Sequence, residues 1–118
     1  MIFGIGVDLV DISRFEKALE QTPKLRERLF TESERGLSTQ SLAARFAAKE
    51  ALLKALGKAK GLSFQDVSVV KNEEGKPSFE LAGETEKTIR AEGISKLHLS
   101  LSHDGNMAVA YVVAEVTK

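Results

Sequence analysis

The stretch from Leu42 to Leu56 constrains the fold more than any other part of this sequence. At about 100° per residue, Leu42, Phe46, Leu52, Leu53 and Leu56 fall on one side of a helix. Ala43, Ala44, Ala47, Ala48, Ala51 and Ala55 fill most of the other side. A helix that is apolar all round is a buried helix, and the small alanines let a sheet or a second helix come close. Yet the same segment carries Arg45, Lys49, Glu50 and Lys54. Arg45 and Lys49 stand a turn apart among the leucines, while Glu50 and Lys54 form an i, i+4 pair between the two apolar sides. The ordinary account is that each long side chain snorkels to water, helped by a Glu50–Lys54 pair worth about 0.3–0.5 kcal/mol. No polar face exists for the charges to share, however, and an ion in low dielectric without a partner is costly. Three cations and one carboxylate beside a core therefore point to an anionic partner outside the chain. A phosphate-rich ligand with a divalent metal would balance them.

The rest of the chain supplies elements for this helix to pack on. Ile5, Val7 and Leu9 alternate with Gly4, Gly6 and Asp8, the two-residue period of a strand. Asp11 or Ser13 caps a helix carrying Ile12, Phe15 and Leu19 on one side. Thr22-Pro23 reads as an N-cap followed by proline in the first turn of a second short helix. Thr31 and Glu34 have capping-box spacing, and Gly36 to Gln40 reads as a loop before the long helix, expected over Ser41–Leu56 and closed by Gly57. Val67–Val70 and Ser78–Leu81 form a hairpin around Asn72-Glu73-Glu74-Gly75, bounded by Pro77. A polar helix follows over Glu84–Glu92, and Leu97, Leu99 and Leu101 alternate with polar residues. The His103–Asn106 turn leads into a final strand, Met107–Val116. Helices and strands mix without a βαβ rhythm. The expected class is α+β, one domain over residues 1–118, with a largely antiparallel sheet packed against the long buried helix.

Composition narrows the function. The 118 residues are 42% hydrophobic and 29% charged, those of a soluble globular protein. Seventeen basic and seventeen acidic residues cancel. With one tyrosine, no tryptophan and no recognised motif, that balance argues against a nucleic-acid binder. The charge is unevenly spread: Arg14, Lys17, Lys24, Arg26 and Arg28 outnumber the acids of the early helical region, a surface suited to an acidic partner. No cysteine is present, which excludes disulfides, thiol catalysis and thiolate metal sites and suits a reducing cytoplasm. Asp8 and Asp11 interrupt the first apolar run, so it reads as neither a signal peptide nor a membrane span.

Asp8 shares a strand face with Gly4 and Gly6, where bare backbone favours close approach by a ligand or a second element. By itself it could equally cap a turn, as Asp11 could. Asp8 and Glu50 together would offer hard oxygen ligands, and Mg2+ takes one or two carboxylates plus phosphate and water. Their spacing alone does not bring them together. The segment Gly57–Gly61, with Lys58 and Lys60, is basic and glycine-flanked but is not a Walker loop. His103, at a strand end, is a better site candidate than His98. A Ser102–His103–Asp104 triad is unsound because adjacent residues do not point at one another.

These segments, in order, resemble one family. GIGVDLVDISRF (Gly4–Phe15), RFAAKEALLKALG (Arg45–Gly57), LSFQDV (Leu62–Val67), GKP (Gly75–Pro77), HLSLSHD (His98–Asp104) and AVAYVVAE (Ala108–Glu115) are similar to the successive signatures of holo-[acyl-carrier-protein] synthases. The resemblance implies a cytoplasmic, Mg2+-dependent 4'-phosphopantetheinyl transferase that moves phosphopantetheine from coenzyme A to a serine of apo-acyl carrier protein. It implies that Asp8 and Glu50 bind the metal and that Lys54 steadies the diphosphate, with Glu50 and Lys54 serving catalysis. Arg45 and His103 match residues that hold the coenzyme 3'-phosphate. Lys49, Pro77 and the segment holding Gly57, Lys58, Lys60 and Gly61 fall where the family lines the rest of the coenzyme site. Arg14, Lys24 and Arg28 match its basic surface for the carrier protein. The family is typically a homotrimer with active sites between protomers, and no nucleic acid or membrane is involved. The segment after Gly57 departs from the Thr-Gly and longer insert of many members, and Phe64 replaces a tryptophan of some. The contrasting class is a non-catalytic trimeric module that binds nucleotides or acidic proteins.

Overall fold

The computed structural model describes residues 1–57 and 61–117. Strands β1 (Ile2–Asp11), β4 (Ile94–Asp104) and β5 (Met107–Val116) form an antiparallel sheet in the order β1-β5-β4. Strands β2 (Val67–Lys71) and β3 (Pro77–Leu81) form a separate antiparallel hairpin. Among the described residues four α-helices join these strands: α1 (Ile12–Gln21), α2 (Leu25–Leu29), α3 (Thr39–Leu56) and α4 (Gly83–Ala91). This is the expected α+β arrangement, with α3 lying across the three-stranded sheet.

The seat of α3 is cut by glycine. Gly4 and Gly6 face the helix, and a Cβ at either position would fall on a backbone carbonyl of α3, that of Ala55 or of Ala51. The helix answers with Ala47, Ala48 and Ala51, all fully buried, so backbone approaches backbone as the small residues on both sides permit. Ala108, Ala110, Val112 and Ala114 of β5 complete the floor of this core. The opposite face of the sheet is unusual. Ile5, Val7, Leu9 and Tyr111 all point away from α3 and are exposed in the single chain. The alternation in β1 is thus inverted: its large apolar side chains face outward and its glycines face the core.

Local chemistry moves several boundaries. Ser38, not a residue nearer Ser41, caps α3 by accepting from the Ser41 N–H at 3.2 Å, so the helix starts at Thr39. Gly57 closes it in the left-handed region at φ 74°. Asp11 is the cap of α1, accepting from the Arg14 N–H at 2.9 Å. Thr22 ends α1 rather than starting α2, which begins at Leu25, because the Thr22 N–H completes the last turn through the Ala18 carbonyl. Thr31 and Glu34 form half of a capping box, the Thr31 N–H donating to Glu34 Oε1 while the Glu34 N–H goes to the Thr31 carbonyl, and they enclose a turn without a helix behind it. A short 3-10 turn, Phe64–Asp66, leads into β2.

Candidate active site

Asp8 leaves β1 on the α3 side, two residues beyond Gly6. Lys54 of α3 reaches down to it: Nζ stands 3.0 Å from Asp8 Oδ1 and 3.0 Å from the Val7 carbonyl. Among the described residues this is the ion pair that Lys54 makes, in place of the i, i+4 pair with Glu50 that its spacing suggested. Glu50, one turn earlier, lines the same cavity of 560 Å³ as Asp8, Asp11 and Arg14. The remaining wall is apolar, built by Phe15, Ala18, Leu25, Leu29 and Phe46. Burial in this setting pushes the Glu50 carboxyl above the usual carboxylate range, and the negative charge of Asp8 pushes the same way against the pull of Lys54. Two like charges facing one space favour a cation between them. Two hard carboxylates are the donor set that Mg2+ takes alongside phosphate and water, so these residues fit such an ion.

Arg45 and His103 lie elsewhere. With Ser41, Lys71 and Ser102 they line a second cavity of 490 Å³ between α3 and the end of β4. Arg45 is buried, and its Nε donates to the Val69 carbonyl at 3.3 Å. The division has a simple cause. Residues 45 and 50 are separated by about 140° around the helix, so one chain cannot turn both toward one cavity. Lys71 enters this group from the end of β2; its place next to the turn at residues 72–75 was its sole signal in the sequence.

Lys49 belongs to neither cavity. Its Nζ is buried, 2.7 Å from Glu34 Oε1, and also donates to the carbonyls of Leu29 and Phe64. The rings of Phe30 and Phe64 flank the ammonium, at 5.3 and 5.9 Å. This corrects the expectation of an outside partner for Lys49. The partner of this cation is supplied by the chain itself, and Lys49, expected to line the coenzyme site, directs its donors at Glu34 and two carbonyls and lines neither cavity. Sequence reasoning missed Glu34, although its capping-box spacing had marked it as polar and locally bonded.

The other expected residues are dispersed. Gly57 is the exposed cap of α3, and Gly61, at φ 82°, rests against Thr88 of α4. Lys58 and Lys60 lie outside the described residues. Pro77 starts β3 opposite Lys71, which lines the Arg45 cavity, and is not itself among the lining residues. Arg14, Lys24 and Arg28 are exposed along α1, the turn after it and α2. Arg14 is the one that borders the Asp8–Glu50 cavity.

An α+β fold with a carboxylate pair facing one cavity beside a buried helix defines a class, and the comparisons agree on which. The family model of the 4'-phosphopantetheinyl transferase superfamily matches residues 4–112, and the chain belongs to this family. Within it, the chain is 55% identical over 115 residues to the holo-[acyl-carrier-protein] synthase of Clavibacter michiganensis subsp. michiganensis, covering 98% of this chain and 97% of that one. The crystal structure of the holo-[acyl-carrier-protein] synthase from Neisseria meningitidis superposes with a TM-score of 0.91 at 34% identity, covering 98% of this chain and 99% of that one. The holo-(acyl-carrier-protein) synthase from Bacillus anthracis, solved in complex with CoA (3',5'-ADP), gives a TM-score of 0.82 at 39% identity over 99% of each chain.

Proposed function

We propose that this chain transfers 4'-phosphopantetheine from coenzyme A to a serine of an apo-acyl carrier protein, releasing 3',5'-ADP. The observation that carries the reading is the convergence of Asp8, Glu50 and Lys54 beside one cavity in a chain of this family. Asp8 and Glu50 are the residues to hold Mg2+. When bound, that ion neutralises diphosphate charge that would repel the nucleophile.

The residues of the chain divide the remaining work. Arg45 and His103 bind the 3'-phosphate of the coenzyme, with Pro77 and the Gly57–Gly61 segment lining its path. The serine hydroxyl attacks the β-phosphate that bears pantetheine, and the bond from that phosphorus to the oxygen of the leaving 3',5'-ADP breaks. Lys54 offsets the charge gathering on the leaving group, as positioning and charge dominate such transfers. The serine proton passes to Glu50, whose raised pKa suits a base, or to a water beside it. Arg14, Lys24 and Arg28 receive the acidic carrier, which crosses the apolar wall of the cavity to reach the carboxylates.

We place the chain in a homotrimer, and the same picture supports sites between protomers. Arg45 and Glu50 look away from each other on one helix, so one coenzyme can contact both sets only between protomers. The exposed Ile5, Val7, Leu9 and Tyr111 give the sheet an apolar outer face of the kind that partner subunits cover. No helix among the described residues is long and apolar enough to cross a membrane, and we place the enzyme in the cytoplasm.

Mass spectrometry tests the reading. Incubation with apo-carrier protein, coenzyme A and Mg2+ should add about 340 Da to the carrier, the phosphopantetheine mass, and EDTA should prevent it. Binding of coenzyme A without that gain would leave a non-catalytic module.

A further inference from the structure

The hairpin strand β2 has one edge paired with β3 and one edge turned toward α3. At Val69 both backbone groups on the unpaired edge meet charged side chains. The Val69 N–H donates to Glu34 Oε2 at 2.9 Å, and the Val69 carbonyl accepts from Arg45 Nε at 3.3 Å. The other Glu34 oxygen accepts from Lys49 Nζ at 2.7 Å and from the Thr31 N–H at 2.9 Å. Glu34 is 1% exposed and Lys49 equally so. Both carboxylate oxygens are therefore committed, one to a buried cation of α3 and one to the residue whose carbonyl anchors Arg45.

Resting on the assignment of Arg45 to the coenzyme 3'-phosphate, we infer that Glu34 is a positioning residue for that subsite. It fixes the backbone of Val69, and through it the place of the Arg45 guanidinium in the cavity shared with His103. Arg45 is a long side chain whose rotamers must be restricted before it can recognise a phosphate. Its Nε is held by a carbonyl that cannot move while Glu34 holds the N–H of the same residue. The Glu34 charge also favours the Arg45 cation against the burial that opposes it. Lys49 keeps the carboxylate in register, which gives the buried pair a function beyond packing.

A carboxylate has two acceptor oxygens, and an amide of the same shape has one. In Glu34→Gln the Lys49 ammonium takes the amide oxygen, because hydrogen bonds to an ion are the stronger ones. The amide NH2 then faces the Val69 N–H, donor against donor, and the edge of β2 must shift. In the double variant Glu34→Gln/Lys49→Met no ammonium competes. The amide oxygen returns to the Val69 N–H, whose bond is buried where that of the Thr31 N–H is only partly so; the NH2 turns to the Thr31 hydroxyl, 3.2 Å from Glu34 Oε1, and the Thr31 N–H is left to water.

Steady-state kinetics with coenzyme A and with 3'-dephospho-coenzyme A read the effect. Glu34→Gln should raise KM for coenzyme A about tenfold, the loss of one well-placed hydrogen bond to an ion, while kcat and the KM for the dephospho substrate stay within about twofold. The double variant should regain the wild-type preference for the 3'-phosphate. A purely structural pair predicts the reverse order, with the double variant more impaired than the single. Unchanged preference in Glu34→Gln, equal losses on both substrates, or a double variant no better than the single would overturn the inference. Arg45→Ala separates the two levels. If the preference survives Arg45→Ala, the underlying 3'-phosphate assignment fails; if it vanishes there but persists in Glu34→Gln, only the role of Glu34 fails. Should Glu34→Gln not fold, amide exchange on the wild-type chain decides. The Val69 N–H should exchange more slowly with 3',5'-ADP than with 5'-AMP, and equal rates would overturn the inference.

Discussion

Lys54 Nζ lies 3.0 Å from Asp8 Oδ1, joining the last turn of the long helix to the first strand. The lysine side chain is 56% exposed and the aspartate 18%, so the pair is open to solvent on one side and contributes little to stability. Lys54→Met should therefore leave the midpoint of urea unfolding nearly unchanged, within about 1 kcal/mol. It should lower kcat about 100-fold or more, the scale lost with one charge-stabilising group. Single-turnover transfer to the carrier checks the second half, and a rate near wild type would remove Lys54 from the chemistry.

Glu50 carries a pH signature. Its folded pKa is raised above the ordinary value of 4.5 by burial and by Asp8. The folded chain thus binds this proton more tightly than the unfolded chain does. The resulting stability is present at pH values below the unfolded pKa and is lost as pH rises through the folded pKa. Glu50→Gln should abolish turnover and raise Tm at neutral pH, with no gain in acid below 4.5. Thermal melts across that range check the sign; a variant less stable than wild type at neutrality contradicts it.

Gly6 holds the seat of α3. A methyl group there meets the Ala51 carbonyl and the Ala55 nitrogen, backbone atoms that cannot rotate aside. Gly6→Ala should destabilise by about 1–3 kcal/mol, the range for overpacking, and should also reduce activity because Asp8 sits two residues on. Denaturant unfolding together with transfer assays would show whether the two losses appear in one variant.

Arg14 is exposed and borders the Asp8–Glu50 cavity. Arg14→Ala should raise KM for the carrier about tenfold and leave KM for coenzyme A within about twofold, as expected for a charge that steers an acidic partner. Added salt should weaken carrier binding to wild type more than to the variant, because exposed charges are screened. Equal changes in both KM values would count against this surface.

Leu9 is 61% exposed on the apolar outer face of the sheet. Leu9→Asp puts a charge where a partner subunit would bury it, and light scattering should report a monomer in place of a trimer. Transfer activity should fall with the assembly, since Arg45 and Glu50 serve different cavities of one chain. An active monomer would separate catalysis from assembly.

Much of this molecule was legible in its residues. The segment Leu42–Leu56, with apolar residues on all sides, announced a buried helix, and the ordered motifs from Gly4 to Glu115 marked the family. Gly4 and Gly6 signalled close approach, and the element they admit is α3. Boundaries were less legible: Ser38 and Thr22 are both competent caps, and only the competing backbone hydrogen bonds decided which helix each one serves.

The charges on α3 divide the same way. Their sequence established that four ions sit in a helix without a polar face, which requires partners; composition and spacing go no further. Tertiary structure alone chose those partners, giving Lys49 to Glu34, Lys54 to Asp8 and Arg45 to the Val69 carbonyl. Pairing depends on which distant segments are folded against the helix, and a linear pattern records the angle at which a side chain leaves its backbone but not what waits there.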